Sequence, residues 1–251
     1  MTPVPELPAG WRLVSRDTLG STNDEAKSLA RQGAAQGTLV WALAQTAGRG
    51  RRGREWRSPR GNLYLSLVWH PACPPDRAAQ LGFAAALAVG DALGDLVPNL
   101  AGLAGKWPND LLLDGRKIAG ILLESEIGEA QNLAFLVVGV GVNLVSAPPD
   151  VEFPATSIAA QGYPPPEPAA LLGAFARHFE DWARSWREAG FAPLRAAWLA
   201  RAVGRGELIR VRLENASLHG RFADLDPHGA LLLDTADGLR RISAGDVFPA
   251  R

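Results

Sequence analysis

The segment from residue 45 to residue 61 most narrows what this chain can fold into. It joins two apolar, strand-like runs, residues 38–44 and 62–69, so the pair reads as a hairpin whose tip is far longer than a tight turn needs. Loops of that length inside a compact domain are functional or disordered. Between Gly48 and Arg60 it carries six arginines and one glutamate, in a chain whose formal net charge is 0. Gly48, Gly50 and Gly53 let the backbone approach a ligand, and a guanidinium fork binds phosphate or carboxylate oxygens in pairs. A loop wrapping a multiply charged anion needs both. A solvated basic turn and a sequence-indifferent nucleic-acid patch compete with that reading. The string Gly48-x-Gly50-x-x-Gly53 also matches the dinucleotide fingerprint. Residues 62–69 alternate like a strand instead of opening a helix, and no acidic residue sits at the ribose position, which excludes it.

A length of 251 residues suits one large domain, or a large domain with a small one. With 47% hydrophobic and 21% charged residues the chain is of ordinary globular type, and its neutrality argues against a role in coating nucleic acid. The lone Cys73 excludes an internal disulfide and a cysteine-built metal site. Residues 1–10 are proline-rich without an apolar signal core, and no stretch approaches the roughly 20 apolar residues of a membrane span, so a cytoplasmic location is expected. Only three of the 26 basic residues are lysine, and two of those, Lys106 and Lys117, fall close together. A compact ammonium, not a guanidinium, is indicated there.

Taken in order, residues 11–14 predict a short strand, and Thr22 with Glu25 forms a capping-box pattern for a helix that runs to Gln32 and is stopped by Gly33. Ser21 and Thr22 read either as a helix cap or as part of a site for an acceptor group at a helix N-terminus. Residues 76–96 predict one long core helix capped by Asp76. Asp114-Gly115 between apolar runs predicts a two-residue hairpin turn that brings Asp110 and Lys117 to comparable heights on paired strands. Lys106, Asn109, Asp110 and Lys117 are polar groups embedded in core-like strands, where a ligand would supply the partners that burial demands. Residues 133–143 predict a strand with glycines for close approach, ending in Asn143, a contact to a ligand base or a turn residue. Pro148, Pro149 and Pro154 mark a mobile loop, and residues 169–188 and 194–202 predict amphipathic helices. From Glu207 onward, short alternating runs separated by turn signals predict a small all-β module, a little barrel.

These motifs together resemble the biotin protein ligases. Gly48-Arg-Gly-Arg-Arg-Gly-Arg-x-Trp56, Lys106-Trp-Pro-Asn-Asp110, Lys117-x-Ala-Gly-Ile-Leu-x-Glu124, Gly139-x-Gly141-x-Asn143 and Ser21-Thr22-Asn23 occur in that family's order and approximate spacing, from about Thr18 to the C-terminus. The resemblance implies an α+β fold: a mixed β-sheet with flanking helices of the class II synthetase and biotin-ligase kind over residues 1–203, and an SH3-like β-barrel over residues 204–251. It implies that biotin's carboxylate attacks the α-phosphate of ATP to give biotinyl-5′-AMP, and that a carrier lysine then takes the biotinyl group. Larger members carry a winged helix-turn-helix ahead of Ser-Thr-Asn, whereas about twenty residues precede Ser21 here, which resembles the monofunctional class that binds no operator DNA.

By similarity, Ser21, Thr22, Asn23 and Gln45 line the biotin site, and Arg49, Gly50 and Arg51 fold over biotin's carboxylate and the α-phosphate. Lys117 bridges both reacting groups. Asp110 accepts a proton from the incoming lysine or helps hold Mg²⁺, a choice the sequence leaves open. Trp56, Lys106, Asn109 and Asn143 belong with Arg51 on the ATP side. The implied partner is a biotin carboxyl carrier protein of the acetyl-CoA carboxylase type, and an exposed sheet edge suits a homodimer or carrier docking. A lipoate or octanoyl ligase of the same fold is the enzymatic alternative, and it should lack the arginine-glycine loop.

Overall fold

The protein is described by a computed structural model over residues 5–250, so the first residues of the proline-rich start lie outside the described residues. Seven strands build the main sheet: β1 (Arg12–Leu19), β2 (Thr38–Gln45), β3 (Leu63–Trp69), β4 (Leu103–Lys106), β5 (Asp110–Leu113), β6 (Arg116–Ile127) and β7 (Leu133–Val142). Their spatial order is β1-β2-β3-β7-β6-β5-β4. β1 and β2 are parallel and enclose helix α1 (Thr22–Arg31) in their crossover, while every other pairing in this sheet is antiparallel.

Alternation along the strands sorts side chains to two faces. Leu63, Leu65, Leu67 and Trp69 enter the principal core, where α3 (Leu81–Leu96) packs on β5 to β7 and against α4 (Pro168–Ala189), which itself reaches β3. That position explains why α3 is apolar nearly all round, with residues 81–89 buried without a break. On the opposite face a smaller cluster forms from Ala26 and Ala30 of α1 with Val40, Val68, Phe135 and Val137. Ser66 shares that face and is fully buried.

The predicted Asp114-Gly115 turn is present: both residues have positive φ, 48° and 73°, as a type I′ hairpin requires. Two expectations change. No side-chain cap forms at α1, because the amide and hydroxyl of Thr22 are taken by Gln45 and Glu25 pairs with Arg16; Ser21 occupies the N-cap. The single helix from Asp76 divides into α2 (Pro75–Ala78), led by Pro74, and α3. Hydrogen bonds from Gln80, Gly82 and Phe83 to residues three positions earlier tighten the chain between them.

Beyond α5 (Ala192–Leu199), strands β8 (Leu208–Arg212), β9 (Ser217–Leu225), β10 (Leu231–Thr235), β11 (Gly238–Ile242) and β12 (Asp246–Pro249) pair antiparallel in the order β11-β10-β9-β8-β12. The expected barrel does not close: β11 and β12 are the two edges of an open sheet. Closure is not required for burial, because Phe222, Leu225, Leu231 and Leu233 join the principal core. Gly229 in the β9–β10 turn packs on Phe83 and accepts a hydrogen bond from Trp107 Nε1 at 3.1 Å, fastening this sheet to the β4–β5 connection.

Candidate active site

Along β7 the residues facing α1 run Phe135, Val137, Gly139, Gly141. The first two fill the space under the helix, and the glycines then remove side chains and open a cleft of about 390 Å³. A Cβ at Gly139 would strike Asn23 Oδ1, and one at Gly141 would lie 2.5 Å from Trp56 Nε1. Gly120 sits opposite Gly141 on β6, and its Cβ would lie 3.2 Å from both Trp56 and Lys117. Every residue assigned to the site by similarity lines this one cleft: Ser21, Thr22, Asn23, Gln45, Arg49, Gly50, Arg51, Trp56, Lys106, Asn109, Asp110, Lys117 and Asn143, whereas Gly48 and Gly53 of the loop do not.

One wall is lined by uncharged side chains in a polar row that is backed by the Glu124–Lys27 pair. Gln45 Oε1 accepts from the Thr22 amide at 2.7 Å, and Gln45 Nε2 donates to Ser58 Oγ at 2.9 Å. Ser66 Oγ lies 2.8 Å from Thr22 Oγ1 and 2.5 Å from Asn23 Oδ1, and Asn23 Nδ2 donates to Glu124 at 2.6 Å. Lys27 Nζ donates to the other oxygen of Glu124 at 2.7 Å. Asn143 borders the cleft with its amide nitrogen already committed: its Nδ2 donates to the Thr156 carbonyl at 3.1 Å, tying β7 to the following loop.

The other end of the cleft is cationic. Asp110 is buried between Lys106 Nζ at 3.1 Å and Lys117 Nζ at 2.5 Å. Burial opposes ionisation of Asp110, but the ammoniums of Lys117 and then Lys106 outweigh it and hold the carboxyl below its usual range. Burial pushes the Lys106 ammonium down, and Asp110 offsets this only in part. Lys117 holds Asp110 Oδ1 and Lys106 holds Oδ2, so both carboxylate oxygens are paired. Trp56 Nε1, by contrast, is buried and unpaired, with its ring 5.3 Å from Lys117 Nζ. Buried polar atoms are nearly always paired, so this orphan donor on the cleft lining marks a place for a ligand.

The arginine loop divides between two tasks. Arg49 grips Asp24 with both terminal nitrogens, at 2.8 and 2.6 Å, and so turns toward the first turn of α1. Arg51 reaches over the cleft to Asn109 Oδ1 at 3.2 Å and the Gly245 carbonyl at 3.3 Å. Burial lowers the affinity of its guanidinium for a proton, against the pull of Asp246 and Asp110. Arg54 donates to Asp246 at 3.0 Å, and Asp246 also accepts from Arg212 at 3.2 Å. Arg212 pairs with Glu152 in the proline-rich loop, whose Phe153 ring lies 4.3 Å from Lys106 Nζ.

Sequence reasoning passed over Ser66, Lys27, Asp246 and Glu152, and gave Glu124 no role. Ser66 had a signal, a lone hydroxyl in an apolar strand; Asp246 had none, because its strand is too short to show alternation.

The chain is similar to known proteins along almost its whole length. Residues 16–143 match the model of the biotin/lipoate A/B protein ligase family, and residues 206–248 match the biotin protein ligase C-terminal domain. A biotin–[acetyl-CoA-carboxylase] ligase of Paracoccus denitrificans is 46% identical over 91% of this chain and 96% of its own length. The bifunctional ligase/repressor BirA of Bacillus subtilis is 34% identical over 95% of this chain and 74% of its own length. The solved structure of an Aquifex aeolicus biotin protein ligase in complex with biotin and ATP superposes with a TM-score of 0.79 at 25% identity, covering 94% of this chain and 97% of that one. With the glycine-floored cleft and the arginine loop above it, these matches place the chain in the biotin protein ligase family.

Proposed function

We propose that this protein activates biotin with ATP and transfers the biotinyl group to a lysine of a carboxyl carrier domain of the acetyl-CoA carboxylase type. The carrying observation is the polarity of the cleft: an uncharged hydrogen-bonding wall at one end, and Lys106, Lys117 and Arg51 converging at the other. Such a cleft suits a molecule with a neutral polar head and an anionic tail, which is biotin's ureido ring and carboxylate.

In this reading Thr22, Asn23 and Gln45 hold the ureido head, with Ser21 beside them, and Trp56 packs on the ring system over Gly120 and Gly141. Lys117 brings the carboxylate against the α-phosphate, and Arg51 and Lys106 neutralise charge that builds up as the carboxylate oxygen attacks and pyrophosphate leaves. Gly50 lets the loop backbone close over the mixed anhydride, and Arg49 leaves Asp24 to join it. Asn109 positions Arg51, and Asn143 shapes the nucleotide end. In the second half-reaction the carrier amine attacks the anhydride carbonyl, AMP departs, and Asp110 is the nearby acceptor for the amine proton.

The cleft does not fit a resident metal. Among the described residues no three His, Cys, Asp or Glu side chains gather into a ligand set, and Asp110 faces two ammoniums. Magnesium, in this reading, arrives on the triphosphate as part of the substrate. Residues 1–203 and 204–251 are taken as catalytic and accessory domains, the second supplying Asp246 to the loop.

Pyrophosphate exchange into ATP tests the proposal. Exchange should require biotin, fail with lipoate, and fall on the order of a hundredfold or more in Lys117→Ala. Exchange driven by lipoate would overturn the substrate, and equal exchange in the variant would overturn the role of Lys117.

A further inference from the structure

Behind the cleft wall, the hydrogen-bond row from Gln45 to Glu124 contains one proton fewer than its contacts need. Both ends are fixed. Ser58 Oγ donates to the Trp56 carbonyl at 2.9 Å, so it accepts from Gln45 Nε2, and Gln45 Oε1 must face Thr22. At the other end the Glu124 carboxylate can only accept, so Asn23 must turn Nδ2 toward it and Oδ1 toward Ser66. Between these anchors lie three oxygen–oxygen contacts: Gln45 Oε1 to Thr22 Oγ1 at 3.1 Å, Thr22 Oγ1 to Ser66 Oγ at 2.8 Å, and Ser66 Oγ to Asn23 Oδ1 at 2.5 Å. Two hydroxyls supply two protons.

The distances say where the protons sit. The 2.5 Å contact requires one, so Ser66 donates to Asn23; Ser66 then accepts from Thr22, and the longest contact, to Gln45 Oε1, goes without. Thr22 Oγ1 and Gln45 Oε1 therefore keep lone pairs for whatever enters the cleft they line. We infer that Glu124 and Ser66 are positioning residues that set the wall's polarity so that it accepts N–H donors, which makes them determinants of selectivity for a cyclic urea over a ring lacking those donors. The inference rests on the biotin reading of this cleft.

Replacing Glu124 by glutamine should reverse the row. The ammonium of Lys27 claims the single amide oxygen of the new side chain, leaving its NH₂ toward Asn23. Asn23 must then flip, Nδ2 faces Ser66, and Ser66 is free to donate to Thr22, which in turn donates to Gln45. Gln45 Oε1, already accepting from the Thr22 amide, then has no lone pair left for the ligand. Ser66→Ala reaches the same end by cutting the row, and it is a small change at a fully buried position.

The test measures dissociation constants for biotin and for a biotin methylated at a ureido nitrogen, by calorimetry on the full chain. Wild type should prefer biotin by about tenfold or more, the worth of a hydrogen bond to a buried acceptor. Glu124→Gln and Ser66→Ala should each compress that preference to within about threefold, with thermal unfolding retained, and the double variant should compress it no further. A preference unchanged in either variant, an equal loss of both ligands, or additive effects in the double variant would overturn the inference. No binding of biotin by wild type would instead overturn the functional reading, and the inference with it.

Discussion

At the scale of single residues, the contact that departs most from its expected place is Arg49 on Asp24. The Arg49 guanidinium, by direct hydrogen bonding, draws the Asp24 carboxyl from 3.8 down to about 2. A carboxyl lowered in the folded state contributes stability above its unfolded value, and loses it as pH falls through the folded one, so the contribution fades between 3.8 and about 2. Because 51% of the Asp24 side chain is exposed, screening keeps that energy small and the titration itself is the better readout. Carboxyl NMR should find the Asp24 midpoint near 2 in wild type, and displaced upward in Arg49→Ala. An ordinary midpoint in wild type would mean that Arg49 is already free of Asp24 in solution. Residues such as Lys106, Asp110 and Lys117 were legible in the sequence because polar types stand out in apolar strands, whereas Gln45 was reached only through the family resemblance. The attachment of Arg49 to Asp24 was not, because both lie among other charges and either could have paired elsewhere.

At the scale of elements, the cleft exists because β6 and β7 carry glycine at facing positions, Gly120 and Gly141 being paired in register. A methyl at Gly141 would approach Trp56 Nε1 to 2.5 Å, closer than side chains pack, so the indole must move. Gly141→Ala should therefore raise the KM for biotin about tenfold, roughly 1.4 kcal/mol. Gly120→Ala, with contacts at 3.2 Å that the flexible Lys117 can relieve, should raise it less. Steady-state kinetics with thermal melts checks both, and unchanged KM in Gly141→Ala would remove Trp56 from the binding surface. The glycine strand and the Asp114-Gly115 hairpin were readable because each has a local cause in the backbone. The break between α2 and α3 and the open C-terminal sheet were not, since the break falls at Ala79–Gln80, where no glycine or proline marks it, and closure of a sheet depends on what covers its face.

At the scale of the molecule, one carboxylate joins three parts of the chain. Asp246, on the last strand, holds Arg54 of the arginine loop and Arg212 of β8, and Arg212 holds Glu152 of the proline-rich loop. Burial would raise the Asp246 carboxyl, but Arg54 and Arg212 keep it below the usual range, so it stays ionised near neutral pH. Two loops that border the cleft are thereby pinned to the C-terminal sheet through a single negative charge. Replacing Asp246 by asparagine removes the charge while keeping the shape, and leaves Arg51, Arg52, Arg54 and Arg212 around a neutral amide, with Arg52 having lain 3.9 Å from the carboxylate. Their mutual repulsion should release the arginine loop. Trypsin should then cut after Arg51–Arg54 several-fold faster than in wild type, by about the factor of ten that accompanies loss of a charge-assisted contact. Biotin with ATP should restore protection, because phosphate oxygens supply the missing negative charge. Cleavage at the wild-type rate without ligands would show that the loop is held by its backbone bonds, such as Gly50 to Arg54 and Trp56 to Gly48, and that Asp246 merely accompanies it.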